Sequence, residues 1–443
     1  MMKAIGLTLA AATLLCSLPV TLRSQEPWSL KDCTDYALEH NLSVKSGAIT
    51  VEQRETELST SKGRRLPAVS ASASENVSFG RGLTADNTYS NTNTTSTSFS
   101  LGADLPIFRG FDINNEIKIS GLNLKAATAD LEKARDDIRV AVAQAYVQIL
   151  YKQELLSVAR QQASHDSLLL AQVQGRRESG KASSADEAAQ AALLSQSRLS
   201  AIQAEGELRL AILDLTQLLE LPSPDGFSIV RPDDGKAETA LLMLPEAIYE
   251  EAVGIKPAVE SARIATESAK VAVDRAKGAY LPSLSLTGGI GTNFYTAAGK
   301  QFADFGEQLR NNFSQYVGLT LSVPIFQRFS ARNQVKQAKL SLEQSEIQYE
   351  SAKKSLYKEI QQAYYNAVAS QARLEGSRSS EESARLHYSL TEEKYKVGKA
   401  GITDYSDART GWLKAQSELI RARFECLYQT GLLDFYRGVP IGF

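Results

Sequence analysis

Residues 100–111 read SLGADLPIFRGF, and residues 318–329 read GLTLSVPIFQRF. In both, apolar and polar residues alternate as on a β-strand until a Pro-Ile-Phe triplet, after which the alternation stops and a helical pattern takes over. The two stretches belong to a long internal repeat. Pro106, Phe108, Gln144, Tyr146, Gly180, Lys181 and Asp186 recur 218 residues later (324 minus 106) as Pro324, Phe326, Gln362, Tyr364, Gly398, Lys399 and Asp404. Upstream of the strands the offset is 215 (282 minus 67), taking Pro67 to Pro282 and Val44 to Val259. A hairpin loop between the two strand runs of each half absorbs the difference. Each half therefore reads helix, strand, strand, very long helix, turn, helix.

The strand runs alternate strictly. Over 67–79, Val69, Ala71, Ala73, Val77 and Phe79 share one face and Ser70, Ser72, Ser74, Asn76 and Ser78 the other; Glu75 breaks the apolar phase. Over 98–105, Phe99, Leu101, Ala103 and Leu105 oppose Ser98, Ser100, Gly102 and Asp104. The second half repeats this with Leu284, Leu286 and Ile290, then with Val317, Leu319, Leu321 and Val323 against Gly318, Thr320 and Ser322. A water-soluble sheet with one face on a core would alternate too. Here the polar faces are Ser, Thr, Gly and Asn almost without charge, and the loop TADNTYSNTNTT is long and polar, as on the outer side of membrane barrels. Strands are expected over about 67–82, 95–107, 281–294 and 313–326. Four strands do not close a barrel, since small closed barrels need about eight, so lipid-facing strands require oligomerisation.

From about 112 to 174 there is no proline, and Ile117, Leu124, Leu131, Ile138 and Ala145 recur every seven residues, with Ala127, Ala134 and Ala141 in companion positions. Val335, Leu342, Tyr349, Leu356 and Ala363 do the same in a helix expected over about 330–395. At 1.5 Å per residue the first is a rod of roughly 95 Å, too long for an ordinary domain. Shorter helices over 43–65 and 184–220, stacked end to end, nearly match its length; 256–279 and 403–433 are the second pair. Residues 221–244, rich in proline, connect the halves and are expected to wrap outside the rod.

A formal charge of −2 gives no basic excess with which to neutralise phosphates, so a nucleic-acid partner is not expected. Lys3 followed by an apolar run to Leu15 and then SLPVTLRSQEPW has the layout of a signal peptide, assigned to 1–24. Cys16 raises a lipoprotein alternative, but Leu15 stands where a lipobox wants a small residue, and an ordinary removed signal is favoured. No other apolar run is long enough to cross a bilayer as a helix. Cys33 and Cys426 either pair or are simply buried, with burial favoured; they and His40, His165 and His387 lack metal-ligand spacing. No catalytic constellation, cofactor motif or metal site is expected.

With the duplicated strand-strand-long-helix unit and the turns ESGKASSAD and YKVGKAGITDYSDA, the chain resembles the TolC family of outer-membrane efflux proteins. Tyr395, Val397, Gly398, Asp404 and Asp407 match the family's most specific segment. The resemblance implies a mainly α fold with a membrane β-barrel part. As a homotrimer it would make a twelve-stranded barrel in outer-membrane lipid, continued by a twelve-helix tunnel through the periplasm. Its tip would meet a periplasmic adaptor and, through it, an inner-membrane pump. The repeats are expected at 25–220 and 245–443.

Read physically, Gly180 and Gly398 fall where a long helix must stop in a left-handed cap. The resemblance adds adaptor docking at these turns by Gly180, Lys181, Val397, Gly398 and Lys399. Asp404 and Asp407 face one side of a first helical turn, where acids favour the N-terminus and Thr403 is the expected cap. The resemblance makes them a constricting carboxylate ring, with Tyr395 and Asp186 helping to hold the tip closed. Ala400 stands where one closed-state network of the family has arginine. Pro106 and Pro324 are expected to end a strand and turn the chain into a helix. Phe108, Phe111, Phe326 and Phe329 fit either an aromatic belt at the inner edge of the bilayer or core packing. The expected function is a passive export duct of a tripartite efflux or type I secretion system. A secreted coiled-coil or adhesin-like trimer without a pore, and a periplasmic adaptor, are the rivals.

Overall fold

The structure is a computed structural model that describes residues 27–83, 87–91, 93–231, 242–298 and 301–442; the signal segment, Cys16 and part of the connecting stretch lie outside them. Helices α1 (Leu30–His40) and α2 (Leu42–Gly63) precede strand β1 (Ala68–Ser78), a small hairpin of β2 (Arg81–Leu83) and β3 (Tyr89–Asn91), and β4 (Thr94–Arg109). Then come α3 (Asp112–Glu178), α4 (Ser184–Leu218), α5 (Pro245–Ala252) and α6 (Pro257–Lys277). Strand β5 (Ser283–Ala297), α7 (Phe305–Asn311), β6 (Ser314–Ser322), α8 (Ser330–Lys396) and α9 (Ile402–Tyr436) complete the chain. The two long helices have 67 residues each, or about 100 Å of rod.

The sheet is antiparallel throughout, in the order β1-β4-β5-β6, so β1 and β6 are free edges. Its register keeps like faces together: Ala73 opposes Phe99, Leu101 opposes Ile290 and Leu286 opposes Leu319. On the polar face Ser72 bonds Ser100 at 2.8 Å and Ser74 bonds Ser98 at 2.7 Å. On the apolar face Val69, Val317, Leu319 and Leu321 remain exposed, with Val317 at 82%. Among the described residues α7 reaches this face at the far end of β5, where Phe305 meets Phe294 edge to face at 5.0 Å. Beyond Gly291, where the pairing of β5 with β6 stops, α7 closes the side of β5: the Gln308 amide donates to the Tyr295 carbonyl (3.1 Å) and accepts from its N–H (2.9 Å), taking the place of a strand.

The strand ends differ from expectation. Strand β1 stops at Ser78, and Arg81–Leu83 turns away into its own hairpin. Pro106 lies inside β4 rather than at its end, at a register shift that lets the strand continue to Arg109; a bulge tolerates the missing N–H. Pro324, by contrast, lies beyond β6 in irregular chain.

Among the helices, α4 packs on the C-terminal part of α3 with α2 completing that row toward the sheet, α9 packs on α8, and α6 contacts both long helices. The end-to-end stacking is explicit. Asn41 caps α2 by accepting from the Ser43 N–H (2.9 Å) and donates its amide to the Leu218 carbonyl at the end of α4 (3.1 Å). At the pseudo-equivalent joint Lys256, which precedes α6, donates to the Phe435 carbonyl of α9 (3.0 Å). The first joint satisfies a carbonyl that a helix end would leave orphaned, and in the second the Phe435 carbonyl accepts from the Gly438 N–H (3.0 Å) as well.

The largest core lies around this level. Cys33, Val142, Tyr146, Ile149, Leu215 and Phe424 pack there, and the connecting stretch covers it with Phe227 and Ile229, the latter bridged to Trp28 in parallel. The Tyr146 hydroxyl donates to the Val230 carbonyl at 2.5 Å. Cys33 and Cys426 are buried and unpaired with each other.

Candidate functional site

The paired helical turns are built on one pattern written twice. At the end of α3, Gly180 has φ +73; its N–H bonds the Arg177 carbonyl (2.9 Å) and the Lys181 N–H bonds that of Arg176 (2.7 Å). At the end of α8, Gly398 has φ +76, with bonds to Tyr395 (3.0 Å) and from Lys399 to Lys394 (2.7 Å). These are Schellman ends, which require a residue without a Cβ penalty at this φ. Both turns leave Lys181, Val397 and Lys399 exposed, Val397 at 68%.

The helices that follow are capped by acids. Ser183 and Asp186 form a reciprocal capping box: the Ser183 N–H and hydroxyl donate to the Asp186 carboxylate (3.0 and 2.8 Å), and the Asp186 N–H donates back to the hydroxyl (3.1 Å). Those bonds hold the Asp186 carboxyl below its ordinary value. In the second turn the cap is Gly401, not Thr403 as the sequence suggests; the Gly401 N–H donates to Asp404 (3.2 Å) and Thr403 is already inside the helix. Glycine serves because an extended cap residue needs only its backbone once the third helical residue supplies the acceptor. Asp404 and Asp407 are both exposed, one helical turn apart, while Tyr405 between them is fully buried. Asp407 makes no hydrogen bond or ion pair among the described residues.

Tyr405 anchors an aromatic stack. Tyr395 lies on its ring (centroids 4.9 Å apart), Tyr388 lies 5.8 Å away and Trp412 stacks on Tyr388 at 5.0 Å. Burial pushes the Tyr395 phenol up, and the Asp186 carboxylate adds to it, so the two turns meet electrostatically. The Tyr388 hydroxyl bonds Tyr405 (3.3 Å) and His165 (3.2 Å), whose other neighbour is Glu392 at 3.1 Å.

Deeper along the rod lies a cluster that sequence reasoning missed. Asp166 of α3 is fully buried, ion-paired with Arg409 of α9 and hydrogen-bonded by Ser197 of α4; Arg409 also donates to the Ser197 hydroxyl (2.7 Å). The three residues fasten the α3/α4 pair to α9. Nothing in the sequence flags it: at an offset of 218 Asp166 corresponds to Ala384 and Arg409 to Ala191, so the repeat is silent there.

At the strand-to-helix junctions the chain turns through two successive left-handed residues. Gly110 and Phe111 have φ +58 and +63; Arg328 and Phe329 have +50 and +63. Phe111 and Phe329 each precede a long helix and accept its first backbone bond, from Asn115 and Asn333 (both 3.0 Å). Phe111, Phe326 and Phe329 are exposed, and the pairs Phe108/Phe111 and Phe326/Phe329 meet edge to face at 5.2 and 5.7 Å. Core packing is therefore excluded for these three rings within the protomer. Phe108 is half-buried.

This architecture defines a class: a duplicated strand-pair and long-hairpin protein whose apolar sheet face is largely exposed. The chain belongs to the outer membrane efflux protein family, whose profile matches residues 34–220 and 248–429. Outer membrane protein TolC of Escherichia coli is 30% identical over 189 residues, a stretch spanning 41% of this chain and 37% of that protein. TolC of Salmonella enteritidis is 26% identical across 78% of this chain and 71% of its own length, and OprJ of Pseudomonas aeruginosa is 24% identical across 93% and 84%. Among solved structures, CusC superposes with a TM-score of 0.77 at 18% identity over 92% of this chain and 91% of that one. The outer membrane protein VceC of Vibrio cholerae superposes at 0.75 and 16% identity over 93% and 97%. These proteins share the fold seen here.

Proposed function

We propose that three copies of this chain form a passive export duct through the outer membrane and the periplasm. The observation that carries the reading is the four-stranded sheet with two free edges and an exposed apolar face, standing on two rods of about 100 Å. Three such sheets joined edge to edge give twelve strands, enough to close a barrel, and leave no unpaired backbone in lipid. The Ser- and Thr-lined face then borders water, and the helices below continue the path. The duct lowers no chemical barrier. A periplasmic adaptor would grip the two turns at Gly180, Lys181, Val397, Gly398 and Lys399, and an inner-membrane pump would supply the driving force.

At the far end, Asp404 and Asp407 from three copies would set six carboxylates around one axis, attracting cations and repelling anions. Tyr395 and Asp186 would fix the relative position of the two turns. Reconstitution in planar bilayers tests this: discrete conductance steps are expected, and Asp404→Ala with Asp407→Ala should lower the preference for cations. Protein that stays soluble without detergent and conducts nothing would overturn the duct.

A further inference from the structure

Where the apolar face of the sheet ends, a groove opens on the outside of the strand-to-helix junction. Its apolar rim is Phe111, which continues the face through its edge contact with Phe108, together with the exposed Leu281. Its other side is cationic. Arg65 from the end of α2, Lys118 from the first turns of α3 and Lys277 from the end of α6 line the same groove of roughly 650 Å³ and are all exposed. One carboxylate lies among them, Asp274, already paired with Lys277 at 2.7 Å. Arg65 is steadied by Asn114 (2.8 Å), and Lys118 has no ion pair among the described residues. Three cations against one carboxylate leave a net positive groove whose upper wall is apolar.

The floor is rigid, because the turn that leads into α3 and the residue that follows α6 touch there backbone to backbone. A Cβ built on Gly110 would collide with the Gly278 carbonyl, and one on Gly278 with that of Gly110. The repeat preserves part of the arrangement. Lys118 corresponds to Lys336 (336 minus 118 is 218), which with Arg332 is exposed just below Phe329, and neither has an ion pair among the described residues.

We propose that this groove binds the phosphodiester headgroup of an anionic phospholipid in the periplasm-facing leaflet, with the lipid's chains lying along the apolar sheet face above Phe111. The inference rests on the reading that this face meets lipid. Charge complementarity selects the headgroup, since each cation near a membrane surface favours an anionic lipid. Continuity of the groove with the apolar face selects a lipid over a soluble phosphate.

The test uses the full-length protein reconstituted in bilayers of phosphatidylcholine with a minor fraction of phosphatidylglycerol, then released for native mass spectrometry of the retained lipid. Phosphatidylglycerol should be enriched on the protein, and Lys118→Gln with Lys277→Gln should reduce the enrichment about tenfold or more. Lys118→Arg with Lys277→Arg should keep it. Conductance of each variant reports the fold and the duct separately: protein that never inserts counts against the duct reading, whereas a conducting protein that retains both lipids equally overturns this one. Loss of enrichment on adding soluble glycerophosphate at matching concentration would also overturn it, because the lipid chains would then contribute nothing.

Discussion

Arg328 occupies a left-handed position that its repeat counterpart fills with glycine. Gly110 takes φ +58 freely, whereas a side chain at φ +50 costs the folded state something of order 1 kcal/mol. Arg328→Gly removes that strain but loosens the unfolded chain, so a small net gain of up to about 1 kcal/mol is expected from denaturant unfolding. Gly110→Ala should destabilise by more, since a Cβ there meets the Gly278 carbonyl as well as the unfavourable φ. Cys33 offers a pH signature at the same scale. Burial pushes its thiol up to about 12 from an ordinary value of 9.0. The folded protein therefore keeps its proton where the unfolded chain would lose it, so this residue's contribution to stability is full below pH 9 and is lost as the pH rises toward 12. Alkylation at pH 8 should accordingly leave Cys33 intact in the folded protein and modify it on denaturation. The sequence favoured burial over pairing for this cysteine, and so it is: Cys426 packs with Leu374 and Ala422 in a different cluster.

Asp166 and Arg409 join elements 243 residues apart, and the pair is almost sealed from water. Breaking a buried pair by removing one partner costs about 3–5 kcal/mol, because the remaining charge is stranded. Asp166→Asn should therefore loosen α9 against α3 and α4 and raise proteolytic cleavage near the second turn, while Asp166→Leu with Arg409→Leu should recover most of the resistance. Cleavage unchanged in the single variant would show that the helices are held by their aromatic stack alone. Such a contact was invisible in the sequence because it depends on which faces of three helices converge. The elements themselves were legible, since strand alternation and seven-residue spacing are local properties of the chain, and both long helices run within a few residues of their expected limits. The strand ends were less so: the bulge that carries β4 past Pro106 has no counterpart in the second half, where the chain leaves the sheet at Ser322.

At the scale of the whole molecule, everything turns on which face of the sheet meets lipid, and two neighbouring residues of β6 separate the answers. Leu319 lies on the apolar face opposite Leu286, and Thr320 lies on the polar face opposite Ser285. In a twelve-stranded barrel, arginine on the lipid face near mid-membrane costs about 2–4 kcal/mol, and six or more over three copies, whereas a lumen-facing arginine remains hydrated. Leu319→Arg should thus reduce the yield of folded trimer in membranes, measured as the heat-resistant oligomer. Thr320→Arg should assemble normally but narrow the lumen and add three positive charges to it, lowering single-channel conductance and cation preference. The opposite pattern, with Thr320→Arg failing to assemble and Leu319→Arg conducting unchanged, would turn the sheet inside out and remove the physical basis of the duct. Because each protomer contributes only four strands, the same experiment reports on closure: a chain that inserted without oligomerising would leave the edges of β1 and β6 unpaired in lipid, at a cost of several kcal/mol for each exposed backbone group, and that cost would drive the three copies of the proposed duct together.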